Sequence, residues 1–424
     1  MEKLAVVGSG GREHAIAMQL RRSLENGQVI SLPGNPGMAE VGECFAVDLS
    51  NPAEIAAVAQ REGVDLAVIG PEVPLVAGAV DELERHDILA FGPSHEAAWL
   101  EGSKTFMKEI ATAAGVPTAE YRSFVQGDSG QAMTYYNEVS RGRRQAVIKA
   151  DGLAAGKGVC LPKNRREAFE FITGCLSGKL FGWAGHRVVI EERLHGREVS
   201  LMALCDGRQA VPLDPARDYK RLLDNDEGPN TGGMGSFSPV PDVPPELAGE
   251  LMQIGVEPIL HHMKAQGNPY RGIMYAGFML TEDGPQLLEI NARFGDPEAQ
   301  VVLPRLTSSL ADHCRESAEG KLRTPVEFSD EAAVTVALTA AGYPENPQTG
   351  DPIEGLTAAQ NVEGASVFHG ATRIVDGRVV TDGGRVLYAT GLGPDLPKAR
   401  TRAYQAADKI SWPGLHRREE IGKG

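Results

Sequence analysis

The strongest constraint on this chain lies in its first hundred residues, where short apolar runs alternate with helical patterns and each run stops at a turn rich in glycine or proline. LAVVG leads to a helix from Arg12 to about Arg22, and QVISL, a helix in PAEIAAVAQREG, DLAVIG, a helix through VDELERH and ILAFG follow in order. Alternation of this kind predicts an α/β fold with a parallel, doubly wound sheet. The turns that end the runs are GSGGRE, PGNPG, GPEVP and GPS. Ligands of open α/β sheets lie beyond the carboxyl ends of the strands, so the four turns are expected to line one crevice.

GSGGRE invites comparison with a dinucleotide fingerprint and fails it twice. Gly8 and Gly10 fit, but Glu13 stands where the third glycine belongs, and QVISL runs into Pro33 and Gly34 with no acid to hold a ribose. What survives is the physics beneath the motif: glycines let a backbone approach a phosphate at a helix N-terminus. Gly10, Gly11 and Arg12 therefore read as a cradle for a single phosphate.

At 424 residues the chain exceeds one hydrophobic core, and three domains are expected. The pattern changes at Lys104, after which a helix (SKTFMKEIATAAG) leads to strands in QAVIKADG and GKGVCLP, a helix after Asn164, and strands in RVVIEERL and EVSLMALC. GIMYAGFML, PQLLEI and a helix in EAQVVLPRL complete this region, and AAVTVALTAAGYP opens a third that closes with a helix at LPKARTRAYQAADKI. The boundaries fall near 103 and 327, giving segments 1–103, 104–327 and 328–424. The net charge of -15 argues against a nucleic-acid partner. Five cysteines without paired spacing suit a reducing, cytoplasmic setting, and no run reaches the roughly 18 apolar residues of a membrane span.

Four stretches of the middle region carry chemistry. DGLAAGKGV is no P-loop: three residues, not four, separate Gly152 from Gly156, and Lys157 is followed by Gly158 rather than Ser or Thr. It reads either as a loop that closes over a polyphosphate or as an exposed, flexible hairpin. In LLEINARFGDPE, strand alternation puts Glu289, Asn291 and Arg293 on one face, a row that suits a hard cation with a phosphoryl or carboxylate oxygen beside it. VVIEERLHGREVSL is a surface hairpin with three acids, or else a segment whose backbone near Leu194 reads an adenine edge while Glu198 takes ribose hydroxyls. DPARDYKRLLDNDEGPNTGGMGSFSP is long and polar, with Met234 and Phe237 as apolar anchors. Its length inside a compact enzyme marks it as functional.

Together these stretches resemble the ATP-grasp ligases, and with GSGGREHA, PGNPG and RFGDPE they resemble the glycinamide ribonucleotide synthetase family over the whole chain. The resemblance implies an N-terminal pre-ATP-grasp domain, an ATP-grasp core with a lid at about 122–190, and a small α+β C-terminal domain. It implies ATP-dependent ligation of glycine to 5-phosphoribosylamine through glycyl phosphate, in purine synthesis, with Mg²⁺ or Mn²⁺ held by Glu289 and Asn291. Lys104 and Lys149 match lysines on the nucleotide phosphates, Gly156 and Lys157 lie in the lid loop, and Glu191, Leu194 and Glu198 match the adenosine-binding hinge. Arg293, with Lys149 and the metal, would neutralise the charge of the phosphoryl transfer, Lys157 would act from the lid loop as a further catalytic residue, and Asp218 and Asp296 would hold the ammonium of glycine. Gly10, Gly11, Arg12, Glu13, Asn35, Pro36, Gly37, Gly70, Pro71 and Glu72 would line the phosphoribosylamine crevice, with Asn230, Gly232, Gly233 and Met234 on the glycine-rich loop. The partners implied are the three substrates and, transiently, the enzyme that makes the amine; neither nucleic acid nor a membrane is implied. The chain departs from the family's Gln-Asp-His-Lys-Arg at Arg217 and Tyr219. Another ATP-grasp ligase or carboxylase would share the nucleotide site, a nicotinamide-dependent oxidoreductase has the N-terminal glycines in its favour, and a non-catalytic nucleotide sensor would not need the metal row.

Overall fold

The computed structural model describes residues 2–142, 144–154 and 158–423. In the N-terminal segment β1 (Glu2–Gly8), α1 (Gly11–Ser23), β2 (Gly27–Pro33), α2 (Pro52–Glu62) and β3 (Leu66–Ile69) alternate as the sequence suggests. VDELERH does not form one helix with its surroundings: α3 (Glu72–Ala77) and α4 (Ala79–Arg85) are separated by Gly78, whose φ of +92° stops the first and starts the second. β4 (Leu89–Phe91) and α5 (His95–Gly102) complete the unit. The strands form a parallel sheet in the order β2-β1-β3-β4. Local chemistry sets the helix ends. At α2, Asn51 accepts from the Glu54 N–H, Pro52 occupies the first turn, and Gly63 ends the helix at φ +67°.

The middle segment starts with α6 (Lys104–Ala113), capped by Ser103. β5 (Tyr121–Val125), α7 (Ser129–Val139), β6 (Ala146–Ala150), β7 (Val159–Cys160), α8 (Arg165–Leu176) and β8 (Arg187–Glu192) then build an antiparallel sheet ordered β5-β8-β6-β7. β9 (Arg197–Asp206) does not return on β8. It enters a second sheet, β10-β9-β15-β16, with β10 (Ala210–Pro212), β15 (Arg271–Thr281) and β16 (Gly284–Asn291). The hairpin expected from VVIEERLHGREVSL is thus a crossing between sheets, because β8 finds both its neighbours, β5 and β6, on the first.

Between β10 and β15 lie β11 (Arg217–Asp218), the hairpin of β12 (Arg221–Leu223) and β13 (Glu227–Asn230), β14 (Gly235–Ser238), α9 (Pro245–Leu251) and α10 (Glu257–Ala265). The helix expected in EAQVVLPRL shortens to α11 (Ala299–Val302) and a 3₁₀ turn that contains Pro304. α12 (Leu310–Glu319), β17 (Ala332–Thr339), α13 (Leu356–Gln360), β18 (Ala365–His369), β19 (Thr372–Val375), β20 (Arg378–Thr381), β21 (Arg385–Gly393) and α14 (Leu396–Ala407) follow. A fourth large sheet, β11-β14-β17-β21-β18, takes two strands from before residue 327 and three from after it. Sequence position therefore does not partition this sheet: the loop strand 235–238 pairs with β17 of the C-terminal segment and carries 217–218 on its other edge.

Burial divides the molecule differently again. Two large apolar clusters each draw on the N-terminal, middle and C-terminal segments, joining Leu32, Met274 and Val336 in one and Leu4, Met202 and Ala337 in the other. A third, with Ile148, Ile172 and Val188, contains residues of 124–190 alone. No helix among the described residues is long and apolar enough to cross a membrane.

Candidate active site

The site lies where the two middle sheets and the N-terminal sheet meet. β16 carries Glu289 opposite Gly277 and Asn291 opposite Tyr275. A bulge between Gly277 and Phe278 makes Leu288 the extra residue, so Leu287 and Ile290 are buried while Leu288 is only half-buried. The simple alternation expected for Leu288, Ile290 and Ala292 holds only after the bulge. Burial pushes the Glu289 carboxyl up, but Lys220, Lys149, Lys104 and Arg293 outweigh it and hold it below the usual carboxylate range.

Arg293 is not the third member of a strand row. The strand ends at Asn291, and the guanidinium turns back: Nη2 donates to Asn291 Oδ1 at 3.2 Å and sits 2.9 Å from Glu101 Oε1, while Nε lies 3.5 Å from Glu72. Glu101, at the end of α5, also accepts the Ala292 N–H at 2.6 Å. Burial lifts its carboxyl to about 7, with Arg293 pulling the other way. One N-terminal-segment carboxylate thus braces both the arginine and the backbone just past Asn291. The sequence reading missed it, and the signal was slight, since an acid before Gly102 looks like an ordinary helix end.

Lys104 opens α6 and donates to the Gly152 carbonyl at 3.3 Å. Its helix N-terminus is held by Asp151, which accepts from Ser103 Oγ at 2.9 Å and the Thr105 N–H at 2.6 Å. Lys149 stands opposite Val189 and Val147 opposite Glu191, so Lys149 and Glu191 are diagonal neighbours on one face. Their charged atoms are 2.5 Å apart. Burial depresses Lys149, but Glu191 and Glu289 overcome it and raise it. Leu194 lies half-buried in the crossing between sheets, and Glu198 is exposed at the start of β9. Lys108 on α6, also missed, places its Nζ 2.6 Å from the second oxygen of Glu191. Its signal was its place one turn after Lys104, on the same helix face. Gly156 and Lys157 lie outside the described residues.

The polar loop holds a second set of charges. Lys220 donates to Asp218 at 2.8 Å, and Asp218 raises the lysine well above its usual value against burial. Glu298 accepts from Tyr275 Oη at 2.9 Å and is raised by burial and by Asp218. Asp296 is bound by Arg385 at 2.9 Å and by Gln300 at 2.8 Å, which ties it to the C-terminal segment. Arg385 also donates to the Gly232 carbonyl, and Gly232 receives no side chain because a Cβ there would meet that guanidinium. Asn230 is exposed on β13. Met234 is displaced from the expected ligand set: its side chain is fully buried, its N–H goes to Tyr219 O, and its carbonyl accepts from Ala337.

In the crevice of the N-terminal sheet, Glu13 folds back on its own helix. It accepts the Gly10 N–H at 2.6 Å and pairs with Arg12 at 2.5 Å, and its side chain fills the space left by Gly8 and Gly70. Arg12 also donates to the Phe294 carbonyl at 3.1 Å. Gly11 gives room to the Tyr388 ring, and Gly37 to His14 and His369. Asn35 uses its amide on Ser9 O and His369 O, and its oxygen on the Met38 N–H. Its side chain is therefore an internal strut; Pro36 beside it is half-buried and Gly37 buried. Gly70 and Pro71 lead into α3, where Glu72 is held below its usual range because Arg293 and Arg12 outweigh the opposing effect of burial.

Two middle sheets, with Lys149 on one and an acid–amide pair on strand β16 of the other, Lys104 at the start of α6 and a crossing segment between the sheets define an ATP-grasp enzyme. The family models of the phosphoribosylglycinamide synthetase N domain, ATP-grasp (A) domain and C domain match residues 2–101, 102–299 and 333–424, and the chain belongs to that family. The phosphoribosylamine–glycine ligase of Streptomyces coelicolor is 45% identical over 99% of this chain and 98% of its own length. That of Caulobacter vibrioides is 45% identical over 100% and 98%. The crystal structure of phosphoribosylamine–glycine ligase from Thermotoga maritima superposes with a TM-score of 0.84 at 34% identity, covering 99% of both chains. The biotin carboxylase domain of the Hydrogenobacter thermophilus 2-oxoglutarate carboxylase, in complex with MgADP, shares the fold at a TM-score of 0.72 and 18% identity over 98% of this chain and 91% of its own.

Proposed function

We propose that the chain joins glycine to 5-phosphoribosylamine at the expense of ATP, through glycyl phosphate, releasing glycinamide ribonucleotide, ADP and phosphate. The observation that carries this reading is the cation cage around Glu289, set in a chain whose full-length relatives are phosphoribosylamine–glycine ligases. Activating a carboxylate with ATP brings two anions together, and Lys104 and Lys149 supply the compensating charge. Glu289 and Asn291 would hold Mg²⁺ or Mn²⁺. The donor set fits: one ionised carboxylate and one amide oxygen oriented by Arg293 Nη2, with no cluster of three or more His, Cys, Asp or Glu among the described residues to make a self-contained cage. When bound, such an ion shields the phosphate oxygens and aligns them.

Glu198 at the hinge is placed to take ribose hydroxyls and the backbone near Leu194 to take the adenine edge. Asp218, held by the single cation Lys220 among the described residues, is assigned the ammonium of glycine ahead of Asp296, which answers both Arg385 and Gln300. Arg12, with the N-terminus of α1, is placed to receive the phosphate of phosphoribosylamine. Closure of the segment around 122–190, with the loop of Gly156 and Lys157, would keep water from the acyl phosphate until the amine attacks. The five free cysteines suit a reducing cytoplasm. A transient contact with the enzyme that makes the labile amine belongs to the same reading. Purified protein should release ADP only when Mg²⁺, glycine and phosphoribosylamine are all supplied; release with bicarbonate in place of glycine would reassign it to the carboxylases.

A further inference from the structure

We propose that Lys108 is a positioning residue for the nucleotide site, neutralising Glu191 so that Lys149 keeps its positive charge for the phosphates of ATP. The inference rests on the assignment of Lys149 to those phosphates. Lys108 lies on α6, beneath the separate sheet that carries the other two residues. Its side chain is 1% exposed and Glu191's is 3%. The two carboxylate oxygens are divided: Oε2 faces Lys108 at 2.6 Å and Oε1 faces Lys149 at 2.5 Å. Lys108 is fixed from the other side as well. Its Nζ donates to Thr118 Oγ1 at 2.6 Å, and that hydroxyl donates to the Leu287 carbonyl of β16 at 2.7 Å.

Two lysines on one carboxylate leave the cluster with one net positive charge in a water-poor site. Buried charge is costly unless something answers it, and the anions expected here are phosphates. Remove the Lys108 charge, and Glu191 and Lys149 become a neutral buried pair with little left to attract a phosphate. Lys108 itself is walled off by Glu191, Thr118 and the Tyr121 ring, 5.6 Å from its Nζ, so it acts through Lys149. A purely structural lysine would instead hold the hinge strand in place and affect every ligand of the site alike.

Calorimetric titration of the full-length protein with ADP and with adenosine, both without metal, separates these cases. Lys108→Met and Lys108→Gln should each bind ADP about tenfold more weakly while their adenosine affinity changes less than about twofold. The double variant Lys108→Met/Glu191→Gln, which frees Lys149 again, should regain most of the ADP affinity. Wild-type ADP affinity in both single variants overturns the proposal. So does an equal loss for adenosine and ADP, or a double variant no better than Lys108→Met. Lys108→Gln keeps the hydrogen bonds and covers the case in which Lys108→Met fails to fold. Lys149→Met tests the underlying assignment: wild-type ADP binding in that variant removes Lys149 from the phosphates whatever Lys108 does.

Discussion

The sheet of residues 121–192 and the sheet that carries Glu289 face one site, yet they are held in the molecule in opposite ways. The inner sheet shares its apolar core with the N- and C-terminal segments, and the chain that follows its last strand is cross-braced to both: Arg293 to Glu101, the Phe294 carbonyl to Arg12, Asp296 to Arg385. The outer sheet packs on a core of its own. Residues that must fix the geometry of oxygen ligands stand on the braced part. Lys149, assigned above to the nucleotide phosphates, stands on the part whose apolar core is its own. Among the described residues, the Lys108–Glu191 contact alone carries a buried charge pair between α6 and that unit.

The comparison breaks first if the braced side proves dispensable. Glu289→Gln removes the carboxylate of the proposed metal pair and the negative charge that Lys220, Lys149, Lys104 and Arg293 share, so turnover should fall by at least ~100-fold with an unchanged circular dichroism spectrum. ADP release under saturating substrates measures it, and a rate within a few-fold of wild type would remove Glu289 from the site. Independence of the outer sheet is tested next. Ile172, fully buried there, should cost about 2–5 kcal/mol when cut to Ala, and Met274 of the inner sheet a similar amount. Amide hydrogen exchange should rise only across 121–192 for Ile172→Ala and throughout the molecule for Met274→Ala. Equal spreading in both would show one cooperative unit.

The two regions also differed in how far the sequence disclosed them. Strand and helix alternation and the turn residues made the N-terminal sheet readable, because local propensity and turn chemistry agree there. Glu289 and Asn291 could be read because alternation along a strand is a local property. Arg293 was misplaced and Glu101 missed because their partnership joins residues 192 positions apart, and nothing local marks it. For the same reason the C-terminal sheet could not be divided at 327: β14 pairs with β17 across about a hundred residues. Lys108 was hidden differently. A lysine on an amphipathic helix reads as a solvated face until a carboxylate from another sheet is seen beside it.

Glu101 provides a smaller effect with a definite sign. Its folded pKa of about 7 lies above the ordinary value of 4.5, so the folded state binds its proton more tightly than the unfolded state does. That contribution to stability is fully present below pH 4.5 and is lost as pH rises through 7. Glu101→Gln cannot ionise. The stability of wild type minus that of Glu101→Gln should therefore decline between these limits by on the order of 3 kcal/mol, read by denaturant titration at each pH. A flat difference would mean that Arg293 fully offsets burial, and that the brace is an ordinary ion pair.

The smallest effect is expected at β11, which lies beside the hinge and carries Arg217. Arg217 donates from Nε to the Glu198 carbonyl at 3.2 Å and lies 3.0 Å from Asp242, while Arg197 pairs with the same carboxylate. Both partners of the Arg217 pair are about a quarter exposed, at 26% and 29%, which places it among ion pairs worth roughly 0–1 kcal/mol. Tyr219 turns away from the site and accepts the Gly422 N–H at 3.1 Å. Arg217→Gln can still donate to Glu198 and leaves Asp242 with Arg197. The KM for ATP should change by no more than about fivefold, and the change should shrink as salt is raised. A change beyond about tenfold that persists in high salt would mean that Arg217 touches the nucleotide itself, and that the crossing between the two sheets belongs to the binding surface along its whole length.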